Sequence, residues 1–292
     1  MTNGNNALEL CSVCKSYPDF QLKNVSFSLP YGSIMGFIGE NGAGKTTTIK
    51  AILNLIRLDG GEIRILEHDS IREERQAKSE IGVVFDELNL YQAIRACDLG
   101  KIMRSVYSSW DGGLYASYLQ KFRLPEKKPV KDYSKGMRMK LSIAAALSHR
   151  PRLLLLDEAT SGLDPVMRSE ILDILLDFVQ EEDHSVLLSS HITSDLEKIA
   201  DYITFIHDGK IVFSENKDEL LDCYGVLKCS RDEFSRIDKG QIVGQRENHF
   251  GVEALVRNRE DFLRRHPGLS VDPTSLDEII VYYGKKPQDG EE

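Results

Sequence analysis

Ser33-Ile34-Met35-Gly36-Phe37-Ile38-Gly39-Glu40-Asn41-Gly42-Ala43-Gly44-Lys45-Thr46-Thr47 is the stretch on which the fold turns. Ser33 to Ile38 is short and nearly all apolar, as expected of a strand buried on both faces. From Thr46 to Ile56 apolar residues recur at helical spacing. Between them, Gly39 to Thr46 matches G-x-x-x-x-G-K-[ST]. Glycines let the backbone turn tightly and aim successive N–H groups at phosphate oxygens, where a β-carbon would obstruct. The helix start adds its positive end at the same point. Lys45 suits the β- and γ-phosphates, and the Thr46 hydroxyl suits Mg2+. Gly39, Asn41, Gly42, Ala43, Gly44, Lys45, Thr46 and Thr47 are therefore the candidate nucleotide contacts. The plainer alternative is a glycine turn carrying a stray lysine, which the strand–loop–helix context disfavours.

Outward from this loop the chain alternates strand-like and helix-like runs. Ala7 to Leu29 alternates apolar and polar residues around Tyr17-Pro18-Asp19, which predicts antiparallel strands. Glu62 to Leu66 and Ile81 to Phe85 read as strands, and about 88–131 as a helical insert. Strand-like runs return at Leu153 to Leu156, Ser185 to Ser190 and Tyr202 to His207, separated by helical patterns such as Arg168 to Gln180. The expectation is an α/β fold: a phosphate-loop NTPase core with a mostly parallel sheet, an N-terminal antiparallel part and the helical insert, over residues 7–215. Residues 216–292 read as a small α/β extension. In it Val226 to Cys229 and Phe250 to Val256 are expected as strands, and Glu260 to Arg265 and Ser275 to Tyr283 as helices. Lys285 to Glu292 read as a frayed end.

Composition narrows the function classes. The 292 residues carry 37 Lys+Arg against 46 Asp+Glu, a formal charge of −9, which argues against a nucleic-acid partner. With 41% hydrophobic and 28% charged residues the chain is compositionally a globular protein. No apolar run reaches the roughly 18–20 residues of a membrane span, and Met1 to Leu10 lacks a signal-peptide pattern, so an intracellular protein is expected. Cys11 and Cys14 form a lone CxxC, read as reduced thiols near the first strand, with redox or metal chemistry as the alternative.

Leu153-Leu154-Leu155-Leu156-Asp157-Glu158 is an apolar strand ending in two carboxylates. Paired with the phosphate loop it becomes a second half-site. Asp157 would hold Mg2+, and Glu158 would aim a water at the γ-phosphate as general base.

With these residues in place, the sequence resembles the ATP-binding subunit of an ABC transporter over about residues 7–215. Tyr17, the loop at 39–46, Tyr133-Ser134-Lys135-Gly136-Met137, Asp157-Glu158, Ser161-Gly162-Leu163-Asp164 and His191 follow one another in family order. The resemblance implies a Mg2+-dependent ATPase, with Glu158 and His191 catalytic and Tyr17 stacking on adenine. A tyrosine packed at a turn is the alternative for Tyr17. It implies that Ser134 and Gly136 meet the γ-phosphate bound by a second copy, and that Asp164 links the two sites, although as an isolated residue it also reads as a helix cap. Two segments depart from the family pattern: the signature, usually Leu-Ser-Gly-Gly-Gln, reads Tyr133-Ser134-Lys135-Gly136-Met137, and the glutamine-loop position is changed. Lys135 stands in the signature segment where a glycine is usual. Asp86 stands in place of a glutamine, where a carboxylate can bind Mg2+ but cannot donate an amide hydrogen bond. Asp86 is therefore assigned to a metal or water contact.

The same resemblance implies partners. These are a second copy or a paralogous ATPase subunit, and a separate multi-span membrane subunit, in an exporter-type system at the cytoplasmic face of the membrane. Unassembled, the chain is expected in the cytoplasm. Trp110, Tyr107, Tyr115 and Tyr118 would either face that subunit or fill the insert's own core. The competing function is a soluble ABC-type ATPase acting on a protein or nucleic-acid assembly. A single ATPase core, the lack of long heptad repeats and the acidic charge weigh against it.

Overall fold

The computed structural model describes residues 5–86 and 93–284. The start of the insert expected at Leu88, and the tail from Lys285 to Glu292, lie outside the described residues. The chain divides into two compact units, residues 1–214 and 215–292.

The first unit opens with the hairpin β1 (Asn6–Tyr17) and β2 (Phe20–Pro30), turned at Pro18-Asp19. β3 (Ile34–Ile38) then runs through the glycine loop into α1 (Lys45–Ile52). β4 (Gly60–Ile65), β5 (His68–Asp69), α2 (Glu74–Ser79) and β6 (Ile81–Phe85) follow. The insert supplies α3 (Ala96–Val106) and α4 (Gly112–Lys121). α5 (Lys135–Leu147), β7 (Leu153–Asp157), α6 (Pro165–Phe178), β8 (Ser185–Ser190) and α7 (Thr193–Ile199) come next. β9 (Tyr202–His207) and β10 (Lys210–Asn216) close the unit.

These strands form two sheets. One is antiparallel, in the order β2-β1-β4-β5. The other has the order β10-β9-β3-β8-β7-β6, and every pair from β9 across to β6 is parallel. β9 and β10 are joined only by Asp208-Gly209, a connection short enough for an antiparallel pair alone. β10 is a strand that the apolar pattern does not announce, because it lies at a sheet edge with one side open. Leu153 to Leu156 are each 0–1% exposed. Burying a leucine contributes about 1.5–3 kcal/mol, so this run commits β7 to the sheet interior. The main core draws on both sheets and on α1, through residues such as Leu8, Val25, Phe37, Ile49, Ile63 and Leu155.

Parallel pairing also aligns the strand ends. Phe85, Asp157, Ser189, Phe37 and Thr204 lie in one row across β6, β7, β8, β3 and β9. The residues that follow this row all emerge at one edge of the sheet, where open α/β sheets hold their ligands.

In the insert, the aromatic residues pack inward. Tyr115 is buried and its hydroxyl donates to the Ala96 carbonyl at 2.9 Å, while its ring lies 5.1 Å from Trp110. Tyr107 stacks on His149 at 4.0 Å and Tyr118 on Phe122 at 5.6 Å. Of the two readings of these residues, the subdomain core is the one they satisfy by packing. Cys11 and Cys14 sit on β1, and all five cysteines are free.

The second unit contains α8 (Lys217–Cys223), β11 (Tyr224–Cys229), α9 (Arg231–Ser235), β12 (Ile242–Glu247) and β13 (Val252–Arg257). α10 (Arg259–Arg265), β14 (Val271–Pro273) and α11 (Leu276–Gly284) complete it. Its antiparallel sheet has the order β12-β13-β11-β14 around Leu227, Val256, Phe262 and Val271. The strands and helices expected here are present. α8, α9, β12 and β14 are additional, each too short or too polar to show a period. α9 is fixed by a capping box between Ser230 and Glu233.

One turn ties the sheets to the loop. The Gly209 N–H donates to Ala43 O at 3.0 Å, and Gly209 O accepts from Lys23 N at 2.8 Å. Gly209 has φ +72°, and a β-carbon there would overlap the Gln21 carbonyl. Gly209→Ala should therefore lower unfolding free energy by at least about 2 kcal/mol. Urea denaturation measures this, and an unchanged midpoint would mean that the turn relaxes freely.

Candidate nucleotide-binding site

The site begins where β3 ends. Gly44 caps α1 with φ +116°, and a β-carbon on it would lie 2.8 Å from Leu22 and 2.9 Å from Phe20. Only glycine allows both the left-handed turn and this approach of the β1–β2 hairpin. Lys45, the first residue of α1, is 6% exposed. Its ammonium donates to Gly39 O at 2.7 Å and Glu40 O at 3.3 Å, and lies 3.2 Å from Glu158 Oε1. The side chain thus curls back over its own loop. A lysine so deep needs partners, because burying an unpaired charge is costly.

At the next residue of the helix, Thr46 Oγ1 donates to Asp157 Oδ2 at 2.8 Å. Ser189 Oγ donates to the other oxygen, Oδ1, at 2.5 Å. Glu158 follows with φ +54°, in the left-handed region that glycine ordinarily occupies. Its N–H donates to Ser189 O at 3.1 Å, and its Oε2 lies 2.6 Å from His191 Nδ1. Residues 39–46, 157–158 and 189–191 thereby join in one network: Lys45–Glu158–His191 on one side, Thr46–Asp157–Ser189 on the other.

The donors around Thr46 and Asp157 are all oxygen, which suits a hard cation such as Mg2+. Among the described residues no three His, Cys, Asp or Glu side chains converge as a self-contained metal cage. A cation that keeps phosphate oxygens and water as ligands matches so sparse a set.

The remaining candidates fall in place around this network. Asn41 and Gly42 are exposed on the loop, Ala43 is buried, and Thr47 is half-buried on α1. Tyr17 is 43% exposed and pairs across the hairpin with Phe20, the residue against Gly44. Its ring is therefore open to a stacking partner near the loop, with Lys15 Nζ 5.5 Å from its centroid. Ser134, Gly136 and Asp164 belong to a second cluster. Ser134 caps α5 by accepting from Met137 N at 3.2 Å. Asp164 caps α6 by accepting from Val166 N and Met167 N at 3.1 and 3.0 Å. Gly136 is buried, and a β-carbon on it would come within 2.6 Å of Met167. The carboxylate of Asp86 lies 2.8 Å from Lys135 Nζ, so in this chain it is bonded to the second cluster.

Two residues that no sequence motif singles out organise these parts. Ser189 sits in register with Asp157 on the neighbouring strand, and a small polar residue ending an apolar strand is the signal that points to it. Asp195, 1% exposed, has its carboxylate 3.7 Å from Arg168 Nε, and Arg168 Nη2 donates to Leu163 O at 3.4 Å. This pair ties the helix after His191 to the helix after Asp164. Nothing in a lone aspartate announces it. Ser189→Ala should cost about 1–3 kcal/mol of stability, the value of a buried hydrogen bond to a charged group. Chemical denaturation reads it, and a wild-type midpoint would show that Asp157 does not depend on the hydroxyl.

Comparison with known proteins agrees with this geometry. Residues 22–161 match the family model described as ABC transporter. The chain is 35% identical over 209 residues to the lantibiotic transport ATP-binding protein SrtF of Streptococcus pyogenes, covering 69% of this chain and 89% of that protein. It is 31% identical over 265 residues to the bacitracin transport ATP-binding protein BcrA of Bacillus licheniformis, covering 89% of this chain and 84% of that one. Among solved structures, an ATP-binding subunit of an ABC transporter superposes with a TM-score of 0.68 at 24% identity, over 78% of this chain and 93% of that chain. A dimeric ATP-binding cassette bound to ADP and Pi superposes at 0.64 with 22% identity, over 72% and 98% of the two chains. The chain belongs to the ABC transporter family, among its ATP-binding and ATP-hydrolysing subunits.

Proposed function

We propose that two copies of this chain, or this chain and a paralogous ATPase subunit, close around two Mg·ATP and drive a separate multi-span membrane subunit that exports its substrate. In this reading the loop from Gly39 to Thr47 holds the phosphates, with Lys45 on the β- and γ-groups and the Tyr17 ring on adenine. Thr46 and Asp157 would hold Mg2+, which when bound neutralises phosphate charge. Glu158 takes a proton from the attacking water, and His191, hydrogen-bonded to it, orients that water. Ser134 and Gly136 face the nucleotide of the other copy, and Asp164 carries the link between the two sites.

The contact chain Lys45–Glu158–His191 is the observation that carries this reading. It gathers a phosphate-binding cation, a base and an orienting imidazole from three separate segments, Lys45 lying more than a hundred residues before the other two. Little covalent chemistry is asked of the protein, since positioning and charge neutralisation supply most phosphoryl-transfer catalysis. The relatives named for lantibiotic and bacitracin transport support a peptide antibiotic as the exported class. No helix among the described residues is long and apolar enough to cross a membrane, so the path is assigned to the separate subunit. The chain would then sit at the cytoplasmic face of the membrane.

Lys45→Ala should abolish ATP binding in calorimetry, and retained affinity would remove the loop from the site. Glu158→Gln should bind ATP, lose turnover by about 10²–10⁴-fold and accumulate as a dimer in light scattering. Near-normal turnover would show that the base lies elsewhere. A monomer at saturating Mg·ATP would refute the two-copy arrangement.

A further inference from the structure

Two of the positions at which the sequence departs from its family pattern are bonded to each other. Asp86 Oδ1 lies 2.8 Å from Lys135 Nζ. They come from distant parts of the chain: Asp86 directly follows β6, whose last residue is in register with Asp157, and Lys135 is the first residue of α5. The Lys135 stem also passes over Gly162, where an added β-carbon would lie 3.1 Å from the ammonium. One cation therefore touches the end of β6, the start of α5 and the turn that leads to Asp164.

The charges explain why the two changes belong together. A cation in the first turn of a helix opposes the helix dipole, so Lys135 is unfavourable where it stands unless an anion accompanies it. Asp86 is that anion. Both side chains are about two-fifths exposed, at 40% and 44%, and an ion pair so open adds little to stability. What it supplies is a local link: the first residue of α5, next to Ser134 and Gly136, is joined to the residue that follows β6, the strand beside Asp157. A carboxylate engaged with Lys135 is correspondingly less free to serve a metal ion.

We infer that Asp86 is a positioning residue for Lys135 and the start of α5, and not a Mg2+ contact. The inference rests on the ATPase reading given above, which Lys45→Ala tests independently. If Lys45→Ala abolishes ATP binding and the results below fail, only this inference falls.

The experiment compares Asp86→Asn, Lys135→Met, the double variant and the charge-reversed pair Asp86→Lys/Lys135→Asp, all in the full chain. Each single change should lower kcat by about threefold to tenfold. The double variant should be no worse than either single one, and the reversed pair should recover more than half of the loss. The Mg2+ concentration giving half-maximal ATP binding, read by calorimetry in the Glu158→Gln background, should match the parent in all four. A Mg2+ requirement raised at least threefold by Asp86→Asn but not by Lys135→Met would make Asp86 a metal contact and overturn the inference. Additive losses, or single variants with parental kcat, would overturn it as well.

Discussion

Asp157 is the point at which the molecule is held together for its work. Its two carboxylate oxygens are claimed from opposite sides, one by Thr46 on the phosphate loop and one by Ser189 on the adjacent strand. Both contacts depend on parallel pairing, which brings β7 and β8 to the same level and leaves the loop after β3 within reach. Four leucines make this strand an interior one, and a charged residue is then tolerated at its end only with such partners. The apolar interior and the polar edge are thus two consequences of one strand.

The same edge divides the labour between neighbouring residues. Asp157 is 6% exposed and fixed at both oxygens, which suits a residue whose task is to hold. Glu158, one position on, leaves the strand and meets a lysine and an imidazole, which suits its proposed task of exchanging a proton. Around them the capped starts of α5 and α6 form a second cluster, joined through Lys135 and Asp86 to the end of β6. Lantibiotic and bacitracin transport proteins are similar to this chain over most of its length. The proposed substrate class is accordingly drawn from relatives, and the proposed chemistry from the site.

Much of this was legible in the order of residues. The loop at 39–46 announces itself because phosphate binding constrains consecutive positions, and β3 and β7 do so because strands buried on both faces are continuously apolar. β6 likewise occupies Ile81–Phe85, as its pattern predicts. What stayed hidden depends on contacts between distant segments. Ser189 gains its meaning only from its register with Asp157, and Asp195 only from Arg168. The pairing of Asp86 with Lys135 joins residues that periodicity treats separately. β10, β12 and β14 escaped because they lie at sheet edges, where a strand with an open side carries too few apolar residues to show a period.

The left-handed backbone of Glu158 places two demands on one residue. A side chain held at φ +54° costs on the order of 1–3 kcal/mol that glycine would not incur. Durability alone would favour a residue without a β-carbon here, whereas the proposed role as base requires a carboxylate. On that reading residue 158 is where robustness and work compete, and glycine or asparagine there would relax the turn while removing the carboxylate.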